Sequence, residues 1–170
     1  GAGRIGTAMA LKSLGFNMKV LYFDTQPNET IEKRLNARRV ELPELLSESD
    51  FVSIHTPLLP ETRHLFTIDT FKQMKATAYL INTSRGPVIK ETDLLRALQD
   101  KLIAGAGLDV YENEPKLTKG LEKLRNVVLT PHTASATVGA RTGMATKAAN
   151  NLLAMVKNQK APDCVNPDVY

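Results

Sequence analysis

A chain of 170 residues, 42% of them hydrophobic, is long enough to bury a core and too apolar to stay disordered. Its formal charge of +4 comes from Lys and Arg scattered along the whole length, without the basic stripe of a nucleic-acid binder, and the single Cys164 excludes an internal disulfide. No apolar run reaches the ~18 residues of a membrane span, so the expectation is a cytoplasmic protein that engages neither nucleic acid nor membrane, unless a targeting segment precedes Gly1.

The first stretch, GAGRIGTAMALKSLGF, fits G-x-G-x-x-G in Gly1, Gly3 and Gly6, with Arg4 and Ile5 inside the motif. Three spaced glycines alone are weak evidence, because glycine is also ordinary loop punctuation. Their neighbours in the chain give them weight. Ile5, Met9, Leu11 and Leu14 read as a helix that ends near Gly15, and MKVLYFD then reads as a buried strand. The strand closes on Asp24, 18 positions after Gly6, near the ~20 at which a carboxylate receives the hydroxyls of an adenine ribose. In that reading, backbone N–H groups at the helix start hold a pyrophosphate. A carboxylate at position 24 repels a 2′-phosphate, and the adjoining TQPN offers no Arg or Lys to receive one, so NAD is preferred over NADP. Asp also ends strands for local reasons, but strand, helix and glycines in register favour the cofactor reading.

Four further short apolar runs read as strands covered on both faces: FVSIH from Phe51, AYLIN from Ala78, AGAGLDV from Ala104 and NVVLT from Asn126. Helical stretches lie between them, including LPELLSES, IDTFKQMK and ETDLLRALQDKL, in which Leu94, Leu95, Leu98 and Leu102 share a face. A long helix comes after the last strand and ends near Asn158, and APDCVNPDVY reads as an irregular tail. This alternation predicts an α/β fold with a doubly wound parallel sheet of the Rossmann type. The glycine motif calls for one more strand before Gly1, central in the order 3-2-1-4-5-6, whose absence leaves a gap in the sheet. The expectation is therefore the C-terminal part of a longer chain, with a dinucleotide-binding domain over 1–135 and a C-terminal helix and tail over 136–170.

The blocks GAGRIG, FVSIHTPLLPETRHL, AYLINTSRGPVI, AGAGLDVYENEP and NVVLTPHTAS resemble, in order and along nearly the full length, those of the D-2-hydroxyacid dehydrogenases. INTSRG and the ending APDCVNPDVY are most similar to the glyoxylate and hydroxypyruvate reductase branch. The resemblance implies a dinucleotide domain inserted into a smaller substrate domain, a homodimer, and hydride transfer between NAD(H) and a small 2-keto or 2-hydroxy acid. It implies that Arg85 holds the substrate's carboxylate and carbonyl, that His132 is the proton donor, and that Glu114 keeps His132 oriented and protonated. It further implies a cofactor cradle formed by Thr56 and Pro57 on the adenine side, Thr83 and Ser84 beside the nicotinamide, Asp109 facing its amide, and Ala134 and Ser135 closing the pocket around His132. Taken singly, these are an ordinary turn, strand-end hydroxyls, a cap and loop charge; their joint arrangement carries the case. No metal is implied, since His55, His64 and His132 lack ligand spacing.

Two features depart from the family pattern. Lys90 stands where relatives usually have an Asp before the helix after the arginine loop, with Glu91 and Asp93 as possible compensation, and KLTKGLEKL replaces a loop that is often proline-rich. A competing function, an NAD(H)-sensing binding protein of the corepressor type, shares the fold, but such proteins place a Trp shortly after the histidine and this chain has none. Phosphoglycerate, lactate and formate stay open as alternative substrates. Residues 1–170 alone, lacking a strand before Gly1, are expected to fold poorly and to show no reductase activity.

Overall fold

Four of the predicted apolar runs pair side by side in chain order: β3 (Phe51–Ile54), β4 (Tyr79–Asn82), β5 (Gly105–Leu108) and β6 (Val127–Leu129) make one all-parallel sheet. The description rests on a computed structural model covering residues 1–169. Parallel neighbours need a crossover each, and α4 (Ile68–Phe71) and α5 (Glu91–Gln99) supply the first two, with a 3₁₀ turn at Leu121–Lys123 before β6. In β3 and β4 the second and fourth residues, Val52 with Ile54 and Leu80 with Asn82, are the buried ones, as the period of two requires. Helix α5 buries Leu94, Ala97 and Leu98 along one stripe, while Leu95 and Leu102 pack at its margin. Phe71, Leu46, Leu80, Val88, Ile103 and Leu121 are fully enclosed in this core. Each such side chain contributes about 1.5–3 kcal/mol by leaving water.

The N-terminal residues build a second, smaller cluster of Ala2, Tyr22, Ile31 and Ala37. Helix α1 (Arg4–Lys12) runs into a 3₁₀ turn at Ser13–Phe16 and ends on Asn17, not on Gly15 as predicted. Asn17 takes the left-handed conformation at φ 52°, which Asn tolerates because its short amide bonds locally. The strand expected over MKVLYFD is short: β1 (Leu21–Tyr22) pairs only with β2 (Arg38–Arg39), reached through α2 (Glu29–Leu35). Both α2 and β2 are additions to the sequence reading. Helix α3 (Leu42–Glu48) then leads to β3. The strands thus form a pair and a separate sheet of four. Between β1 and β3 lies a cavity of about 840 Å³ lined by residues including Gly6, Met9, Leu21, Leu45, Phe51 and Val52.

By chain contacts, Gly1–His132 form one unit and Thr133–Tyr170 a second. In the second unit, α6 (Val138–Val156) starts at Thr137, whose hydroxyl accepts the Ala140 N–H at 3.1 Å. The tail after it is pinned rather than loose: Asp163 pairs with Lys147, and its N–H donates to Asn151 Oδ1 at 2.9 Å. Among the described residues no helix is long and apolar enough to cross a membrane.

Because Leu80 is fully enclosed at the centre of the sheet and Val128 is 67% exposed, the two truncations separate packing from mere position in a strand. In the intact protein, Leu80→Ala is expected to lower unfolding free energy by about 2–5 kcal/mol and Val128→Ala by about 0.5 kcal/mol or less, read from denaturant midpoints at constant slope.

Candidate active site

Ile54, Asn82, Leu108 and Leu129 stand in register across the sheet, so the residues after them emerge along one carboxyl edge. Open parallel sheets place their chemistry there. The edge carries Thr56 and Pro57 after β3, Thr83, Ser84 and Arg85 after β4, Asp109 after β5, and His132 after β6. Glu114 reaches the same edge from the loop that leaves β5.

Asn82, completely buried, builds the turn that presents Arg85. Its Oδ1 accepts the Ser84 N–H and its Nδ2 donates to the Arg85 carbonyl, each at 3.0 Å. Ser84 Oγ donates to the Thr56 carbonyl at 2.5 Å, joining the β3 and β4 loops. Thr83 is exposed, and the exposed Arg85 guanidinium donates from Nη1 to the neighbouring Ser84 carbonyl at 2.7 Å, its one hydrogen bond among the described residues, which leaves Nε and Nη2 for an anion. Asp109 is buried and accepts the Thr130 hydroxyl at 2.5 Å.

His132 Nδ1 lies 2.8 Å from Glu114 Oε2. Glu114's second oxygen accepts the Tyr111 N–H at 3.0 Å. The His132 hydrogen bond and then the Tyr111 N–H hold the Glu114 carboxyl below the usual carboxylate range, against a smaller opposing effect of burial. His132 itself has φ 54°, a left-handed backbone that a non-glycine residue adopts at a cost and that occurs preferentially at working sites. Ala134 and Ser135 are exposed loop residues of the second unit, where the Ala136 N–H closes a turn on the Thr133 carbonyl.

The glycine loop is shaped for a dinucleotide. A Cβ on Gly1 would stand 2.7 Å from the His55 carbonyl carbon and one on Gly6 2.1 Å from the Gly1 oxygen, so both must be glycine. Gly3 meets nothing within 4 Å, which keeps the backbone open to an incoming group. It also starts α1 without a side-chain cap or an acid in the first turn, leaving the helix N–H groups and the positive end of the dipole for an anion. Arg4 and Ile5 are exposed beside it. Thr56 Oγ1 is, among the described residues, the buried side-chain oxygen without a hydrogen-bond partner, which suits a site completed by a ligand. Pro57 carries the next carbonyl, which accepts from Thr62 Oγ1 at 2.6 Å and fixes the loop. Together these features fit a bound NAD.

Asp24 Oδ2 accepts the Ala2 N–H at 2.6 Å, tying the end of β1 to the glycine loop. Burial pushes this carboxyl up, but the Ala2 and Gln26 N–H groups and the Gly1 amine outweigh it, and the net shift is downward. The sequence reading missed two residues beside it. Asn28 donates to the Ala2 carbonyl and to Thr7 Oγ1, both at 2.7 Å, while capping α2. Arg39, from β2, donates to the carbonyls of Asp24 and Thr25, each at 3.0 Å, so a cation does stand beside Asp24 although TQPN has none. An N-cap is legible in Asn28-x-x, but the cross-strand reach of Arg39 depends on a strand that the sequence pattern does not show. Among the described residues no group of three or more His, Cys, Asp or Glu gathers to hold a metal.

The sheet, the glycine loop and the carboxyl edge define a Rossmann-type NAD-binding domain. Residues 1–134 match the family model of the D-isomer specific 2-hydroxyacid dehydrogenase NAD binding domain. The chain is 49% identical over 169 residues to a glyoxylate reductase of Pyrococcus horikoshii, and 48% identical over 170 residues to one of Korarchaeum cryptofilum, covering 99% of this chain and 51% of each relative. Among solved structures, the NAD-complexed D-isomer specific 2-hydroxyacid dehydrogenase of Lactobacillus delbrueckii matches with a TM-score of 0.87 at 34% identity, over 98% of this chain and 54% of that one. The TT0316 protein of Thermus thermophilus matches with a TM-score of 0.89 at 42% identity, over 97% of this chain and 51% of that one. This chain belongs to the D-isomer specific 2-hydroxyacid dehydrogenase family and carries its NAD-binding domain. It spans about half the length of the curated relatives it matches.

Gly86 joins the Arg85 turn to the Glu114 loop, since a Cβ there would stand 1.8 Å from the Tyr111 carbonyl oxygen. Gly86→Ala is expected to push the two loops apart and to cost roughly 1–3 kcal/mol in unfolding free energy, measured by denaturation of the intact protein. A variant of parental stability would contradict this contact.

Proposed function

We propose that the intact protein reduces a small 2-keto acid, glyoxylate or hydroxypyruvate, with NADH, and that Arg85, Glu114 and His132 carry the chemistry. The observation that carries the reading is the His132–Glu114 pair, 2.8 Å apart at the carboxyl edge of an NAD-binding sheet. The glyoxylate reductases among the relatives support the substrate class. Bound NADH supplies a hydride for the keto carbon. Arg85 binds the substrate carboxylate and the carbonyl oxygen through Nε and Nη2, since among the described residues only its Nη1 is engaged, by the Ser84 carbonyl. His132, engaged through Nδ1, transfers its proton from Nε2 to the carbonyl oxygen as negative charge develops there. Glu114 fixes the ring and stabilises the imidazolium. In the reverse direction the same nitrogen takes the hydroxyl proton. The family resemblance also supports a homodimer.

His132→Ala in the intact enzyme is expected to lower kcat by roughly 10²–10⁴-fold while leaving NADH affinity near the parental value, because proton transfer is lost and the glycine cradle is not. Steady-state assays against glyoxylate, hydroxypyruvate, pyruvate and phosphohydroxypyruvate, with NADH titrated by fluorescence, check both halves and the substrate class. Parental turnover would remove His132 from the mechanism.

The ribose end yields a second expectation. Asp24→Ser is expected to narrow the preference for NADH over NADPH by roughly 10-fold, equivalent to about 1.4 kcal/mol, since the repelling carboxylate goes and Arg39 stays. Adding Arg39→Ala should reverse the gain in NADPH. A parent enzyme that already prefers NADPH would contradict the role given to Asp24.

A further inference from the structure

Glu91 is a carboxylate with only 2% of its surface exposed, at the first turn of α5. It does not cap that helix. Lys90 and Asp93 pair with each other at 3.2 Å, and Asp93 accepts the Ile68 N–H, whereas Glu91 turns to the loop that leaves β5. Its Oε1 accepts the Glu112 N–H at 2.5 Å and its Oε2 the Thr118 N–H at 3.1 Å. Glu112 returns the bond: its Oε2 accepts the Glu91 N–H at 3.0 Å, and its Oε1 sits 2.6 Å from His64 Nε2, on the loop after β3. The points of attachment flank Glu114 on both sides. Burying a carboxylate costs desolvation that an apolar residue would not incur, so packing alone is a poor account of Glu91. What the carboxylate adds is direction, because its two oxygens bring two separated N–H groups to one fixed point.

We propose that Glu91 is a positioning residue for the Glu114–His132 pair: it clamps the backbone at Glu112 and Thr118 and so fixes the loop from which Glu114 reaches His132, with Glu112 and His64 as the outer part of the clamp. The inference deepens the proposed keto-acid reduction and rests on it for its kinetic readout. His132 faces Glu114, Glu114 is also close to Asp109, and Glu91 faces Glu112 and the Tyr111 ring. A loosened loop takes the Glu114 carboxylate away from the His132 ring, whose Nε2 is then no longer held in line for proton transfer. The loss falls on kcat and leaves substrate and cofactor binding in place.

The test is kcat and KM for keto-acid reduction by the intact enzyme, compared among the parent, Glu91→Gln and Glu112→Ala, with His132→Ala alongside. Glu91→Gln presents an amide NH₂ to one of the two N–H donors and is expected to lower kcat roughly 10-fold. KM and NADH affinity stay near the parental values, because Arg85 and the glycine loop are untouched. Glu112→Ala leaves both bonds accepted by Glu91 and lowers kcat less. A Glu91→Gln enzyme with parental kcat, or one whose loss lies in KM instead, overturns the proposal. If Glu91→Gln does not fold, a parental kcat in Glu112→Ala overturns it. If His132→Ala keeps parental turnover, the proposed function fails, and the clamp is then read from amide exchange at Glu112 and Thr118: faster exchange in Glu91→Gln supports it, and parental protection overturns it.

Discussion

Parallel strand pairing is the constraint on which the site depends. Four strands aligned in one direction bring four chain ends to one edge, and every turn there must find partners for backbone groups that the ladder no longer satisfies. Ile54, Asn82, Leu108 and Leu129 end side by side, so side chains distant in sequence become neighbours without any dedicated framework. The buried Asn82 meets the need at β4 with both ends of its amide, and the turn it makes displays Arg85. At β5 the Asp109 N–H donates to the Asn82 carbonyl and the Leu108 carbonyl accepts the Thr130 N–H, each at 2.9 Å, while the buried Asp109 carboxylate accepts the Thr130 hydroxyl. The polar groups that finish the sheet also shape the candidate active site.

The groups proposed to react are less enclosed than their supports. Asn82, Asp109 and Glu91 are buried, while Arg85 is exposed and His132 is 53% exposed at its side chain. This division has a physical basis. A group that must meet substrate and exchange protons needs access to solvent, whereas a group that sets direction works best where water cannot compete for its hydrogen bonds. His132 also holds a left-handed backbone, φ 54°, just past the end of the edge strand β6.

Much of this arrangement was legible in the sequence. Strands β3 to β6 announce themselves as short apolar runs because a parallel strand is covered on both faces. Strand β2 gives no such signal: Arg38 and Arg39 are both exposed, and backbone pairing to Leu21 and Tyr22 makes the strand. Helix α2 buries only Ile31, too little for an apolar stripe. Arg85, Glu114 and His132 are proposed as site residues through a resemblance that spans several motifs, and the structure sets all three at the carboxyl edge of the sheet. Asn82, Glu91 and Arg39 were not found as site residues. Each reads as an ordinary polar residue until a neighbour far along the chain supplies its role, and that neighbour is set by the sheet rather than by local pattern.

The glycine loop shows how far polar ties substitute for apolar burial where the sheet is broken. The cluster around it is small, holding Ala2, Tyr22, Ile31 and Ala37, and a strand pair of two residues each adds little. Yet the loop is held on both sides. Asp24 takes the Ala2 N–H, Asn28 takes the Ala2 carbonyl, and the Tyr22 hydroxyl donates to Glu32 while accepting the Asn28 N–H. Hydrogen bonds of this kind fix orientation more than they add free energy, since each replaces a bond to water. The loop is thus defined in geometry by Asp24 and Asn28, and in its approach to an anion by Gly3 and the uncapped start of α1. The acid that anchors the loop is the one proposed to repel a 2′-phosphate, so cofactor choice and loop shape meet at one residue, and a change at Asp24 reaches both.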